Sequence, residues 1–186
     1  ERIPIMSILL NNFSMAIELK VMPISTEKYR STDISGDYAA MARAFGGRVQ
    51  TLDAPEIGWL PMRHSGSAAA RDWLGEAADA VVYQWHHDSF VGLPPGAELI
   101  AGSAACAHQA FALRQHLAMQ FHIEITPKKI SDWMLHPGEA YGPACQAHPA
   151  TVQTPLAISE GTREHLAASQ VLANRIYACW RSRWPG

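Results

Sequence analysis

The strongest chemical signal in the chain is Gln120-Phe121-His122-Ile123-Glu124, at the end of an apolar run that reads as a strand. Side chains alternate across a strand, so an extension carried to residue 124 puts His122 and Glu124 on one side. A carboxylate placed there fixes the tautomer of the imidazole and stabilises its protonated form, which is what a thiol or hydroxyl nucleophile needs from its base. By spacing alone, HxE also fits a polar strand end with a solvated histidine. A second polar group, His86-His87-Asp88, reads either as a turn after a strand or as a loop facing a site. It is a poor metal centre, because no third or fourth ligand falls at a revealing spacing. Neither GxGxxG nor a P-loop occurs, so no cofactor is expected.

The elements that must hold these residues follow from periodicity and turn chemistry. A helix over 38–45 should stop at Gly46-Gly47. Short strands are predicted at Arg48–Leu52, Ile57–Met62, Ala80–Trp85 and Glu98–Ala101, with a helical segment over 68–77 and a turn at Pro94-Pro95-Gly96. Gln109–Leu113 and Leu117–His122 read as two strands about a short turn, followed by Thr126-Pro127 as the start of a helix. Residues 137–158 read as a long surface connection. Leu166, Ala173, Ile176 and Trp180 mark a closing helix. Strands mixed with helices predict an α/β sheet covered by helices on both faces.

Bulk properties narrow the function. Fifteen basic and 17 acidic residues in 186, a net charge of -2, give no electrostatic reason to expect nucleic acid or an acidic membrane surface. The longest apolar stretch, Ile3 to Leu10, is far too short for a membrane span and lacks a basic leader. Three cysteines without a CxxC pair suit a reducing compartment, so a cytoplasmic location is expected. The length fits one domain, with residues 1–36 atypical and the domain proper over 37–186.

Five collinear segments resemble the class I glutamine amidotransferases, in particular stand-alone GMP-synthase-like proteins. They are Ala42-Arg43-Ala44-Phe45-Gly46-Gly47-Arg48-Val49, Glu56-Ile57-Gly58-Trp59, and Trp85-His86-His87-Asp88-Ser89-Phe90 with Leu93-Pro94-Pro95-Gly96. The series continues through Ser103-Ala104-Ala105-Cys106 with Gln109-Ala110-Phe111, and ends at Gln120 to Pro127. The resemblance implies a three-layer, flavodoxin-like sheet and a Cys-His-Glu triad that hydrolyses the side-chain amide of glutamine. His122 and Glu124 match the last two members, with Ile123 where the family has proline. His86 and Asp88 match a His-Gly-Asp loop near the substrate. The implied partners are glutamine, an ammonia-accepting synthetase, or a second copy of the chain.

The nucleophile is missing from its expected place. The family's elbow, roughly Gly-x-Cys-x-Gly-His-Gln, runs into the helix containing Ala42-Arg43. Counting back from there puts the cysteine at about Ser35, whereas counting forward from Arg2-Ile3-Pro4-Ile5 puts it near Leu9. Neither is cysteine. Ser35-Gly36 lacks the GxSxG setting of a serine nucleophile. Cys106 falls away from the elbow and reads as a small core residue, while Cys145 and Cys179 have no histidine at a revealing spacing. The expectation is an N-terminally incomplete amidotransferase fold that is defective in glutamine hydrolysis, its nucleophile unknown. The rival expectations are a binding or scaffold protein of the same fold and a truncated or frame-disturbed product.

Overall fold

A computed structural model describes residues 7–8, 46–76 and 79–183. In chain order its elements are β1 (Ser7–Ile8), β2 (Arg48–His64), α1 (Ala68–Leu74), β3 (Asp79–Gly92), β4 (Glu98–Gly102), β5 (Ala110–Leu113), β6 (His116–Met119), α2 (Pro127–Leu135), α3 (Tyr141–Ala147) and α4 (Pro155–Ser182). The expected helix over 38–45, Ser35 and Leu9 lie outside the described residues. The strands form one sheet in the order β1-β6-β5-β4-β2-β3. Among the described strands β1 pairs parallel to β6, and the other pairings are antiparallel.

The two strands expected at Arg48–Leu52 and Ile57–Met62 are one, β2, with a register irregularity between Thr51 and Glu56. Pro55 lies inside that irregularity and has no N–H to give to a ladder, so the strand bulges there and continues. The partner strand is correspondingly longer than Ala80–Trp85. The predicted helix over 68–77 ends at Leu74, because Gly75 takes φ 94° and its N–H closes on the Arg71 carbonyl. Its start is capped by Ser67 Oγ, which accepts from the Ala70 N–H at 3.0 Å. Thr126 caps α2 in the same way through Lys129 N–H, with Pro127 in the first turn as expected.

The long connection expected over 137–158 is corrected by the structure. It holds α3, and α4 begins inside it at Pro155. Thr154-Pro155 repeats the hydroxyl-then-proline start of Thr126-Pro127, and Thr154 accepts from the Ala157 N–H. Pro143 sits in the first turn of α3, where its missing N–H has no intrahelical partner to lose.

Alternation along β2 and β3 divides the apolar residues between two cores. Met62 and Val82 enter one with Ile100, Phe121 and Ile123, closed by Trp73 and Leu74 of α1 and by Ala173 and Ile176 of α4. Ile57, Trp59 and Tyr83 enter the other with Ile130 of α2, Tyr141 of α3 and Ile158 of α4. Helices therefore cover both faces, the α/β layering read from the sequence. None of the described helices is long and apolar enough to cross a membrane.

One edge of β2 is completed by a side chain. Ile57 bonds the backbone of 151–153 through Ile57 N–H to Thr151 O and Gln153 N–H to Ile57 O, both 2.9 Å. The carboxamide of Gln153 then takes the next rung, accepting from Trp59 N–H at 2.9 Å and donating to Trp59 O at 2.8 Å. Gly58 makes this approach possible: its φ is 116°, and a Cβ there would overlap the Gln153 side chain. Gly58→Ala is expected to destabilise the fold by roughly 2 kcal/mol or more, from backbone strain together with the clash. The measure is the urea midpoint. The double variant Gly58→Ala/Gln153→Ala removes the overlap with the carboxamide but keeps the close approach of the residue 153 Cβ and the backbone strain, and so should not return to the stability of Gln153→Ala alone.

Candidate active site

Strand β6 ends at Met119, and residues 120–124 run on as bends with a single bridge, His122 to Tyr83. The strand expected to reach His122 is therefore shorter. The two side chains still meet, because Phe121 and Ile123 are anchored in the first core. His122 Nδ1 lies 3.0 Å from Glu124 Oε1. Lys129 Nζ, from the first turn of α2, reaches the same oxygen at 3.2 Å. A carboxylate acceptor at Nδ1 makes that nitrogen the protonated one and leaves the Nε2 lone pair to act as base. Burial works to raise the Glu124 carboxyl, but the hydrogen bond and charge of His122, its own backbone amide and Lys129 together outweigh burial and bring it down to about 2.

Aromatic rings surround the imidazole. The His122 ring is 3% exposed and meets Trp133 edge to face at 4.8 Å between centroids. Tyr83 lies at 6.3 Å, Trp85 and Trp133 pack edge to face at 5.5 Å, and Tyr141 stacks on Trp85 at 6.0 Å. A low-dielectric wall of this kind strengthens the His122–Glu124 attraction. Trp133 packs against this imidazole directly, and Trp85 packs against Trp133.

His86 and Asp88 lie beside one small cavity that is also lined by Trp85, Ser89 and Gln120. The His86 ring is engaged at both nitrogens: Nδ1 contacts the Asp88 carbonyl at 2.9 Å, and Nε2 lies 3.2 Å from Glu56 Oε2. Glu56, 2% exposed, also accepts from Ser103 Oγ at 2.7 Å and from the Gln109 amide. The structure thus joins His122 to Glu124 and His86 to Asp88, with Gln120 of the QFHIE segment, not His122, reaching the second group. Sequence reasoning gave no role to Glu56, Ser103, Gln109 or Lys129. Glu56 and Gln109 were visible as polar residues within matched apolar segments, whereas the Lys129 contact depends on how α2 leaves residue 126.

No protein-family model matches the chain. The glutamine-hydrolysing GMP synthase of Cupriavidus taiwanensis is 34% identical over 94 residues, which cover 46% of this chain and 17% of that protein. The corresponding enzyme of Methylococcus capsulatus is 35% identical over 94 residues, covering 46% and 18%. The chain thus spans a fifth or less of the curated relatives it matches. Among solved structures, a glutamine amidotransferase of Methylobacillus flagellatus superposes with a TM-score of 0.69 at 31% identity, over 80% of this chain and 61% of that one. In sequence and in fold the chain is similar to the class I glutamine amidotransferases. A glutamine amidotransferase of Thermotoga maritima shares the fold, with a TM-score of 0.62 at 19% identity over 93% of this chain and 76% of that one.

Class I glutamine amidotransferase chemistry requires a thiol beside the imidazole, and the described contacts of the three thiols run elsewhere. Cys106 is 1% exposed, with Ser89 Oγ at 2.9 Å and Gln120 Nε2 at 3.2 Å. Burial pushes its thiol up, against the hydrogen bonds of Ser89, His108 and Gln120. Cys145 Sγ donates to the Val152 carbonyl, and Cys179 Sγ is approached by the Arg183 guanidinium. Among the described residues no group of three or more His, Cys, Asp or Glu is placed to hold a metal ion.

The depressed Glu124 carboxyl makes a stability prediction. Its folded value of about 2 lies below the ordinary 4.5, so its contribution is complete above about pH 4.5 and is lost as the pH falls toward 2. Glu124→Gln should unfold at lower urea than the parent chain at pH 6, and the two midpoints should converge as the pH is lowered through this window. A gap that stays constant from pH 6 to pH 3 contradicts the assignment.

Proposed function

We propose that this chain is an amidotransferase-type domain in which His122 is the general base, Glu124 its orienter, and His86 and Asp88 border the glutamine site. In this reading the chain does not itself hydrolyse glutamine, because the elbow cysteine is absent from both positions where the family pattern would put it. The observation that carries the reading is the His122 Nδ1 contact with Glu124 Oε1 at 3.0 Å, made inside a buried aromatic setting. It is the geometry a thiol-activating base requires, and it is costly to bury unless used or fully paired. The buried state of Cys106 supports leaving the nucleophile unassigned.

The curated relatives are glutamine-hydrolysing GMP synthases. By that likeness the proposed partner is a synthetase that accepts ammonia, or a second copy of the chain, and the substrate bound is glutamine. Three free thiols with no pairing among them support a cytoplasmic location. The second reading is a fold retained for binding or scaffolding, favoured by the same lack of a placed nucleophile.

The test is glutamate release from glutamine by the purified, demonstrably folded protein, with His122→Ala and Cys106→Ala beside it. No release above the uncatalysed rate is the expected result. Release that falls by about 100-fold or more in His122→Ala overturns the defect while upholding the base, and a parallel loss in Cys106→Ala identifies the nucleophile.

A further inference from the structure

Four side chains near the imidazole close a ring. His122 Nδ1 contacts Glu124 Oε1 at 3.0 Å, Lys129 Nζ contacts the same oxygen at 3.2 Å, Lys129 lies over the Trp133 ring at 5.8 Å, and Trp133 meets the His122 ring at 4.8 Å. Lys129 and Trp133 are four apart on α2, one turn along the same face. That helix is fixed at its start by the Thr126 cap and by Ile130, which is 4% exposed.

Glu124 needs such a tie. Its backbone lies beyond the end of β6, so no ladder holds it. Its second oxygen, Oε2, is buried and has no hydrogen-bond partner, so the carboxylate is held through Oε1 alone. A carboxylate gripped at one oxygen by one imidazole can rotate away and release Nδ1, after which the ring is free to take its other tautomer. A second, cationic donor on that oxygen, carried by a rigid helix, removes this freedom. Lys129 is only 27% exposed and its head sits against an aromatic face, where a cation is held with less solvent competition than on an open surface. Among the described residues, Tyr177 of α4, whose hydroxyl burial and the Glu124 charge push up, and Tyr83 of β3, whose buried hydroxyl has no partner, also lie near the pair. Neither is cationic.

We propose that Lys129 is a positioning residue for this site: by holding Glu124 Oε1 from α2 it keeps the carboxylate facing His122, and so keeps His122 in the Nδ1–H form. The inference rests on the reading of His122 and Glu124 as base and orienter, and it does not depend on the chain being active.

The experiment is nitrogen-15 NMR of the His122 ring at a pH where it is neutral, with carbon-13 titration of the Glu124 carboxyl, on the parent chain, Lys129→Met, Lys129→Gln and Lys129→Arg. The parent chain should be overwhelmingly Nδ1–H. Both neutral variants should shift the tautomer ratio toward Nε2–H by about five-fold, the scale of one lost net hydrogen bond, and should raise the Glu124 titration from about 2. Lys129→Arg should restore both. Folded Lys129→Met and Lys129→Gln proteins with the parent's tautomer ratio and Glu124 titration overturn the role of Lys129 and leave the base–orienter pair standing. A parent chain that is mostly Nε2–H overturns that pair itself, and this role with it.

Discussion

The pairing of β2 with β3 is the constraint from which the rest of the molecule follows. Twelve residue pairs in antiparallel register, with shifts near Arg48 and after Thr51, assign each side chain of both strands to one face or the other. Slipping the register by one residue would exchange the two cores, sending Trp59 and Tyr83 where Met62 and Val82 now lie. The other parts attach to this ribbon at separate points: β4 at Arg63 and His64, residue 152 at Ile57, and His122 at Tyr83. The last attachment brings the QFHIE segment to the aromatic face after its own strand has ended.

Two polar groups share this neighbourhood and differ in kind. The Glu56 group is internally satisfied to a large degree, with a carboxylate taking Ser103, Gln109 and His86 at once. Such a group specifies packing, because each member orients the next and an apolar replacement would lose that direction. The Glu124 group is more sparsely tied, with one oxygen used twice and the other not at all. Sparse ties at a buried ionisable pair are where a fold stores reactivity and not merely shape. Cys106 belongs to the first kind of environment, which is why burial governs its thiol.

Much of this was legible in the residue order. Thr126-Pro127 announced α2, Gly96 fell where a turn was needed, and the HxE spacing delivered a His–Glu contact, whereas the helix read over 68–77 ran past the stop at Gly75. The helix over 141–147 and the first turns of the closing helix, from 155, were missed because prolines and glycines were counted as breakers without asking where in a first turn they stood; Thr154-Pro155 is the same signal as Thr126-Pro127. The merger of the two expected strands into β2 was missed because the sequence shows no period across residues 53–56, where the chain bulges and goes on. The HxE contact was anticipated by a strand that does not in fact extend so far. What produces it is the burial of Phe121 and Ile123 on the opposite side. The Lys129 tie and the Glu56 network join residues up to 53 positions apart, and local periodicity carries no information about such distances.

The Gln153 carboxamide on the Trp59 backbone has a consequence for how the chain behaves in company. A strand edge with open N–H and carbonyl groups is a template for any other extended chain. Here the rung at Ile57 is filled by backbone, the rung at Trp59 by a side-chain amide that carries the same donor and acceptor as a peptide, and the next residue on that edge, Pro61, has no N–H to offer. Among the described residues one glutamine and one proline thus close the gap between residue 152 and β4, and this stretch of the edge offers no run of open N–H groups for another extended chain to pair with.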